Sequence, residues 1–422
     1  MRTRKRRVKK NTTKKTNRII ILDKNISKKN YRDEQILSNL ISNEVSVMLP
    51  SAKTASANSS YIINNIFKKI KKKNYSPSVN EKLNIISNGT LHNMFGCKEM
   101  DELMNDGVPM VKINNKCLYY NKKEVYDVLL SNLEASRKVK CSKIITPRQA
   151  QSNCWFNTMF VMFFISDKGR KFFKYFRAMM ILGVKGNLIT QYNNINNLDL
   201  NKKDVLSREL HKSFFLLNLA IEACLTGNKY AYALNTNDLI LQIHNAIINS
   251  PGGTKYINDI IKPEQLGNPF RYYYAIMSFL SDKTIRILDL YIDKEDNNFS
   301  EEVKDEIAIS NDKPPHLIMV TTYRKKKHNL IHPKIYEING LVYELDAALI
   351  LSDDQMHWTC LLTCNNEGYA YDGGSFTSLV PFNWKKNALN SSITYRFKNN
   401  FYTHMTYSFN GPSQTLLYYR IQ

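Results

Sequence analysis

One cysteine in this sequence stands between an amide-rich loop and a long apolar segment, a placement that suits thiol chemistry. Cys154 follows Gln149-Ala-Gln-Ser-Asn and opens an apolar stretch that continues to residue 180. We predict one long, largely buried helix over 154–180, with Cys154 in its first turn. The unpaired N–H groups at a helix N-terminus favour thiolate over thiol, and the thiolate is the nucleophile. The pattern indicates a nucleophilic cysteine; a buried structural cysteine is the alternative.

The residues before the cysteine can supply hydrogen-bond donors to a reacting carbonyl. The side-chain amide of Gln149 or Gln151, together with the backbone N–H of Cys154, can stabilise the oxyanion that forms when a thiolate attacks. The loop 146–151 contains Pro147 and precedes the predicted helix directly. We therefore expect this loop to border the reacting group.

A histidine and an aspartate far downstream have the spacing of a base and the group that orients it. His357 follows the polar loop 351–355 and opens an apolar segment, and Asp372 ends the strand Tyr369-Ala-Tyr371. A hairpin between the two segments would return Asp372 beside His357, where its carboxylate can hold the Nδ1 proton. Gly373 and Gly374 leave space for close backbone approach. A histidine at a strand end and an aspartate that opens a turn are the alternatives.

The other histidines and cysteines have weaker claims to chemistry. Cys360 and Cys364 lie four residues apart near His357, but a zinc site needs a fourth ligand, so we expect core cysteines, no metal and no cofactor. The competing histidines lack a paired strand with an acid behind it, or lie in or before basic or proline-flanked loops: His92, His211, His244, His404, His316, His328 and His332. His357 is therefore the favoured base.

Length and composition indicate a folded protein with an unusual basic start. The chain has 422 residues, a net charge of +23 and 43% hydrophobic residues, which exclude a largely disordered chain. Residues 1–18 hold ten Lys and Arg and no acidic residue. Such a segment stays solvated and can bind nucleic acid or an acidic surface, or merely raise solubility. The longest apolar run, 159–165, is far too short to span a bilayer, so we expect no membrane association.

The cysteine pattern predicts free thiols. The seven cysteines are odd in number and scattered, without a CxxC pair. This pattern does not fit a disulfide framework. We therefore expect an intracellular, reducing compartment, with the cytoplasm, the nucleus and a virion as candidates.

Secondary-structure patterns predict an α+β protein in which helices precede a sheet. We expect a basic, partly disordered arm over 1–80, a small α/β module over 81–145, and a catalytic domain over 146–422 that is helical to 270 and then β. Further helices are predicted at 123–133, 204–225 and 237–249. An antiparallel sheet is predicted from short β-branched and aromatic runs at 284–292, 316–323, 334–338, 341–345, 357–363, 369–371 and 392–397.

The order Cys, His, Asp, with an aromatic residue after the cysteine, resembles the papain superfamily of cysteine peptidases, and within it the ubiquitin-specific proteases. Their cysteine box has the form Asn-x-Gly-Asn-Thr-Cys-Tyr-x-Asn-Ser, and this chain has Gln149 at the oxyanion Asn position, Asn153-Cys154-Trp155 and Asn157-Thr158. Their histidine box has a Tyr-x-Leu strand, Gly-His-Tyr and a later aromatic-x-x-Asp. This chain has three segments similar to these parts of the histidine box: Tyr343-Glu-Leu345, Met356-His357-Trp358 and Tyr369-Ala-Tyr371-Asp372.

The resemblance implies a papain-like fold, in which a helical subdomain that begins with the nucleophile helix packs on an antiparallel sheet. It implies a catalytic triad of Cys154, His357 and Asp372, with Gln149 as oxyanion donor. It also implies a protein substrate, with ubiquitin or a ubiquitin-like protein as a candidate. Residues of the two boxes that flank the triad are the candidates for substrate contact: Trp155, Asn157, Trp358 and Gly373.

The sequence departs from this family in ways that leave alternatives open. Gln151 and Met356 replace the glycines before the cysteine and the histidine, and the zinc-binding CxxC pairs of many members are missing. Peptidase chemistry is therefore better supported than ubiquitin as the substrate. A transglutaminase-like acyltransferase shares the Cys-Trp pair and the residue order. A non-catalytic, basic virion or nucleic-acid-binding protein on a peptidase scaffold is the remaining alternative.

Overall fold

The computed structural model describes residues 19–22, 109–114, 116–134, 139–149, 152–185, 206–228, 231, 234, 236–263, 265, 267–280, 286–292, 305, 314–323, 331–338, 340–398 and 405–421. The basic segment 1–18 and most of the predicted arm, the first part of the predicted module 81–145, and Gln151, His92, His328 and His404 lie outside these residues.

The protein is α+β, with one large, mostly antiparallel sheet. Seven strands follow the order β10-β9-β8-β7-β12-β5-β4, and β6 pairs with β7. These strands are β4 (Ile287–Ile292), β5 (Leu317–Tyr323), β6 (Ile335–Ile338), β7 (Leu341–Leu351), β8 (Trp358–Cys364), β9 (Glu367–Tyr371), β10 (Val380–Pro381) and β12 (Ser413–Arg420). Two small sheets pair β1 (Ile19–Leu22) with β11 (Thr394–Phe397), and β2 (Met110–Ile113) with β3 (Lys116–Tyr119).

Eight helices are defined in the described part of the chain. They are α1 (Lys123–Glu134), α2 (Cys154–Phe164), α3 (Asp167–Phe172), α4 (Lys174–Leu182), α5 (Arg208–Thr226), α6 (Thr236–Ile248), α7 (Pro269–Leu280) and the short α8 (Trp384–Asn387). None of them is long and apolar enough to cross a bilayer.

Alternating side chains of the central strands face two separate cores. Leu417 and Leu349 join the core that contains α2 and the other long helices, whereas Leu416 and Ile350 join a second core with β11 and α8. This alternation follows from the two-residue period of a strand. Helix α2 packs against β7 and β8 and has every residue buried, so the sheet fixes the position of that helix.

The predicted single helix over 154–180 is wrong, because the chain breaks twice. Helix α2 ends at Phe164, and Ser166 caps α3 by accepting a hydrogen bond from the Gly169 N–H at 3.2 Å. Buried Asp346 of β7 also accepts from the N–H of Lys168 at 2.8 Å. A side chain 178 residues away thus takes up a helix donor, which apolar spacing alone does not reveal.

The sheet is more mixed than the predicted antiparallel one. β4 pairs with β5 in parallel, and β1 pairs with β11 in parallel. Helix α7 and strand β12 were not predicted, although β12 lies at the centre of the sheet between β5 and β7. The helices predicted at 204–225 and 237–249 correspond to α5 and α6.

The described part of the predicted module 81–145, which begins at residue 109, does not form a core of its own. Val111 of β2 and Leu129 of α1 belong to the same buried cluster as Phe160 of α2 and Phe214 of α5. The helix predicted at 123–133 corresponds to α1, and β2 and β3 form a hairpin before it. The domain division at residue 145 stays a prediction, but this part of the module is packed onto the helical half of the protein.

The prediction that all cysteines are free thiols is wrong. Cys141 and Cys364 form a disulfide across 223 residues of sequence, and Cys117 is also disulfide-bonded. The first bridge joins the segment before the Pro147 loop to the end of β8. Spacing gave no sign of it, because its two members lie in distant segments that only the sheet brings together.

Candidate active site

Cys154 is the first residue of helix α2 and lies just below the protein surface. Its residue is 8% exposed, and the ten residues that follow it in the helix are all buried. The Asn153 side chain makes no capping hydrogen bond to the helix. Among the described residues, no acceptor takes the backbone N–H of Cys154, Trp155 or Phe156. Within the described residues, the helix therefore presents unpaired donors beside the thiol, of the kind that a thiolate or an oxyanion needs.

A tight turn between β7 and β8 fixes the position of His357. Leu351 of β7 pairs with Trp358 of β8, and the turn between them is closed by Ser352. The Ser352 N–H donates to the His357 carbonyl at 2.9 Å, and the His357 N–H donates to Ser352 Oγ at 3.0 Å. The Tyr407 ring packs edge-on to the imidazole with centroids 6.5 Å apart. Both the backbone and the ring of His357 are thus held in place.

Asp372 follows β9 directly and faces the imidazole. The pairing of Cys360 with Tyr371 in neighbouring strands brings Asp372 to the start of β8. Asp372 Oδ1 lies 2.7 Å from His357 Nε2. The same carboxylate accepts from the Gly374 N–H at 2.9 Å and from Ser375 Oγ at 2.5 Å. These bonds fix the orientation of the carboxylate.

The structure corrects the ring nitrogen predicted for this contact. Asp372 contacts Nε2 and not Nδ1. The Cys154 thiol is close enough to the imidazole of His357 to raise its pKa, and Nδ1 is the ring nitrogen left to face it. Cys154, His357 and Asp372 therefore lie side by side. Which nitrogen faces the acid depends on the side from which the acid approaches, and the sequence does not contain that information.

Two opposing effects set the pKa of His357. Its burial lowers the pKa, because a charged imidazolium is poorly solvated in the interior. Hydrogen bonds and charge interactions with Asp372 and Cys154 outweigh burial and raise the pKa from 6.5 to about 10. His357 is therefore an imidazolium at neutral pH, the form that can donate a proton to a leaving group.

The loop that carries Gln149 is held against the turn that carries Asp372. The Gln149 N–H donates to the Gly373 carbonyl at 3.0 Å, and the Tyr371 hydroxyl donates to the Pro147 carbonyl at 2.6 Å. The Thr146 N–H adds a bond to the Thr377 carbonyl at 3.0 Å. The Gln149 side chain is half-buried, and its Oε1 has no hydrogen-bond partner among the described residues. This loop and the acid are therefore positioned together.

The structure places the four residues predicted to contact substrate in different surroundings. Trp155 is buried and packs edge-on to Tyr272, and Asn157 is fully buried. Both face the interior, so their assignment to a substrate surface is wrong; they support the helix. Trp358 is half-buried at the start of β8. Gly373 touches the Gln149 loop, and its role there is close backbone approach.

Comparisons with known proteins give little further information. No protein-family model and no curated protein matches the sequence. Among solved structures, the chain is similar to a SAGA DUB module bound to monoubiquitin, at 9% identity and a TM-score of 0.40, over 88% of this chain and 96% of that chain. It is also similar to the Ubp8-Sgf11-Sgf73-Sus1 SAGA DUB module at 11% identity and a TM-score of 0.36, over 93% and 97% of the two chains.

A third similar structure is that of an essential yeast splicing factor, at 9% identity and a TM-score of 0.38, over 76% of this chain and 88% of that chain. TM-scores below 0.5 at these identities do not establish a shared fold or activity. A functional assignment therefore depends on the geometry of the site.

Three other histidine and cysteine side chains considered for chemistry, His211, Cys224 and Cys360, are buried in the described structure. His211 Nε2 bonds the Ile181 carbonyl, and burial lowers the pKa of this histidine to about 4. Burial raises the pKa of the Cys224 and Cys360 thiols, which leaves them poor nucleophiles. No cluster of three or more metal-ligating side chains occurs in this part of the protein.

Sequence reasoning missed the hydroxyl that organises the start of α2. Thr236, the first residue of α6, is fully buried and bonds both Asn153 and Asn157. Its partner Asn153 is 83 residues away in sequence, and no spacing rule connects the two. Only the asparagines flanking the cysteine could have signalled that a buried polar partner exists.

Proposed function

We propose that the protein is a thiol-dependent peptidase or isopeptidase with a papain-like arrangement of helix and sheet. The observation that carries this proposal is the buried hydrogen bond between His357 and Asp372, next to Cys154 at the N-terminus of a helix and beside the Gln149 loop. Nucleophile, base and orienting acid come from three separate elements. A purely structural cysteine does not require a buried imidazole with a carboxylate behind it.

The proposed reaction proceeds in two steps through a thioester. The Cys154 thiolate attacks the carbonyl carbon of an amide or isopeptide bond, and the negative charge that develops on oxygen is met by the Cys154 N–H and the Gln149 side chain. The His357 imidazolium gives its proton to the amine as the C–N bond breaks. The neutral imidazole then takes a proton from water, whose oxygen attacks the thioester carbonyl; the C–S bond breaks, the acid is released, and the thiolate–imidazolium pair is restored.

Asp372 acts on the imidazole and not on the substrate. Its carboxylate holds Nε2, which keeps Nδ1 directed at the thiol and stabilises the charged ring. The bonds from Gly374 and Ser375 prevent the carboxylate from turning away. Asp372 is therefore proposed to maintain the thiolate–imidazolium pair.

A protein is the proposed substrate, and a ubiquitin-like C-terminal tail is the first candidate. Support comes from the sequence motifs around Cys154 and His357 that resemble ubiquitin-specific proteases. Met356, where those enzymes have glycine, is 63% exposed next to the catalytic histidine. A side chain at this position leaves less room for substrate beside His357. We therefore propose that the cleavage specificity differs from that of the ubiquitin-specific proteases.

Covalent labelling tests the proposal. Incubation with a ubiquitin bearing a C-terminal electrophile, and separately with a small thiol-peptidase epoxide, should modify Cys154 of the full chain, as read by intact mass and peptide mapping. Cys154→Ser should abolish labelling, whereas Cys360→Ala, which removes a buried thiol, should retain it. Absence of labelling by both probes in folded protein would overturn the assignment. Labelling by the epoxide alone would exclude ubiquitin and keep the peptidase.

The same triad can also transfer an acyl group to an amine. This second function has the Cys154-Trp155 pair and the order Cys, His, Asp in its favour. A primary amine added to a turnover assay separates the two reactions. Accumulation of the amine conjugate in place of the free acid would favour the acyltransferase.

A further inference from the structure

A directed chain of buried hydrogen bonds connects the start of α6 to the start of α2. Asn153 Nδ2 donates to Thr236 Oγ1 at 2.9 Å, and Thr236 Oγ1 donates to Asn157 Oδ1 at 2.7 Å. Asn157 Nδ2 then donates to the carbonyl of Arg148 at 3.3 Å. Asn153, Asn157 and Thr236 are all fully buried. One hydroxyl therefore connects the residue before the nucleophile with the residue before Gln149.

These hydrogen bonds hold the Asn153 side chain away from the N–H groups that it could cap. Asparagine at an N-cap ordinarily accepts from the N–H groups of the first turn. Here the Asn153 amide binds Thr236 instead, and its Oδ1 has no partner among the described residues. The N–H groups of Cys154, Trp155 and Phe156 consequently stay without an acceptor in the described structure. An uncapped helix start is costly by itself, so its retention next to Cys154 calls for a functional reason.

We propose that Thr236 is a positioning residue for oxyanion stabilisation. Through Asn153 it keeps the N–H groups of the first turn of α2 free to donate to substrate. Through Asn157 and the Arg148 carbonyl it fixes the position of the loop that carries Gln149. The inference rests on the proposed function, because it specifies how that site keeps its donors available. Thr236 does not touch the reacting atoms.

The role requires a group that accepts and donates at once. A hydroxyl does both, and Thr236 uses each capacity once: its Oγ1 accepts from Asn153 and donates to Asn157. Thr236→Val keeps the shape of the side chain but can do neither, whereas Thr236→Ser keeps the hydroxyl. In Thr236→Val the Asn153 amide is free to rotate onto the first turn and cap it. The donors that serve the oxyanion are then occupied.

Two measurements on the full-length protein test this role. The first is hydrogen–deuterium exchange of the peptide containing residues 153–158, without substrate: Thr236→Val should slow exchange of the first-turn amides, and Thr236→Ser should match wild type. The second compares acylation by a carbonyl substrate with alkylation by iodoacetamide. Thr236→Val should slow acylation about 10- to 100-fold. Alkylation needs the thiolate, which the same N–H groups favour, but no oxyanion donor, so it should slow much less.

A second variant covers the case in which Thr236→Val fails to fold. Asn153→Ser places a strong capping residue that is too short to keep the bond to Thr236. It should likewise slow first-turn exchange and acylation, and slow alkylation much less.

The outcomes separate this inference from the proposed function. Slower exchange with slower acylation supports both. Unchanged exchange in Thr236→Val and Asn153→Ser overturns the positioning role, whatever the activity. Slower exchange in a protein whose wild type is neither labelled nor active overturns the peptidase assignment and supports the role of Thr236 in keeping the helix uncapped.

Discussion

The backbone of Gly373 lies directly against that of Gln149. A Cβ on Gly373 would lie 3.1 Å from the Gln149 nitrogen, 3.3 Å from the Pro147 carbonyl oxygen and 2.6 Å from the Tyr371 hydroxyl. The turn that follows Asp372 and the loop that precedes Cys154 are therefore in van der Waals contact through a position that has no room for a side chain. Asp372 and Gln149, the proposed oxyanion donor, are therefore positioned by one contact.

Gly373→Ala should therefore impair catalysis more than stability. The added methyl pushes the Gln149 loop outward, and misplacement of a catalytic group by about 1 Å can lower the rate about 100-fold. We expect kcat to fall about 10- to 100-fold with an unfolding free energy lowered by about 1–3 kcal/mol. Steady-state kinetics and thermal denaturation measure the two effects.

Gly340→Ala is the matched control for that substitution. Gly340 has a φ of 75° in the turn between β6 and β7, and a Cβ there meets open space. The variant should lose about 1 kcal/mol through backbone strain alone and keep its kcat. Equal kcat values for the two variants would contradict the role given to Gly373.

Asp372→Asn should lower the pKa of His357. The wild-type pKa of about 10 depends on the hydrogen bond and charge of Asp372. A neutral amide at this position removes the charge that opposes the effect of burial, so the pKa of His357 falls. Activity requires the imidazolium and should fall as pH rises through the His357 pKa. The basic limb of the kcat/KM profile should therefore move from near pH 10 in wild type to lower pH in the variant. An unmoved limb would contradict the assignment.

The same ionisation should appear in the stability of the wild type. The folded-state pKa lies above the unfolded value of 6.5, so the folded protein binds the proton more tightly. The contribution of His357 to the unfolding free energy is fully present below about pH 6.5 and is lost as pH rises through about 10. Denaturant titrations of wild type and His357→Asn from pH 6 to pH 10 measure it, and the difference between them should shrink as pH rises.

The Arg177–Glu222 pair in the helical core should be important for stability. Arg177 of α4 forms an ion pair with Glu222 of α5, with side chains 4% and 1% exposed. Arg177→Met removes the cation from a buried carboxylate and should cost about 3–5 kcal/mol. Lys123→Met, at a pair whose side chains are 65% and 48% exposed, should cost less than about 1 kcal/mol. Urea unfolding compares the two variants.

The Cys141–Cys364 bridge should make stability depend on reductant. Its loss in Cys141→Ser should lower the unfolding free energy by about 2–4 kcal/mol. A phosphine reductant should lower the melting temperature of wild type more than that of Cys141→Ser, and non-reducing peptide mapping should find the linked pair. Both thiols free in protein purified from its native compartment would instead agree with the reducing compartment expected from the sequence.

The ten charges of residues 1–18 should bind nucleic acid in a salt-dependent way. Each cation that contacts a phosphate releases counterions, so affinity for duplex DNA should fall steeply between 50 and 200 mM salt. Deletion of residues 1–18 should abolish this binding and leave Cys154 labelling intact. Binding that survives the deletion would locate the contact elsewhere.

The sequence predicted the contact between His357 and Asp372 better than the fold around it. The 15 residues between His357 and Asp372 were enough to predict that the two are close. Two strands joined by a short turn pair antiparallel, so the end of the second lies beside the start of the first. The break at Ser166 was hidden because its stabilising partner, Asp346, is distant in sequence. Strand β12 was missed because its side chains are buried on both faces between neighbouring strands and do not alternate. Helix α7 has buried residues at helical spacing, so its pattern could have predicted it. Long-range pairing, such as Cys141 with Cys364, carries no local signature.

The position of β12 has a consequence for synthesis on the ribosome. β12 pairs with β7 on one side and with β5 on the other, so β4 and β5 join the strands near His357 and Asp372 only through residues 413–420. A nascent chain that has not yet extruded these residues holds two unconnected half-sheets with exposed edges. Residues 413–420 must therefore leave the ribosome before the sheet behind helix α2 is complete, and a thiol-peptidase probe should not label Cys154 in nascent chains that lack them.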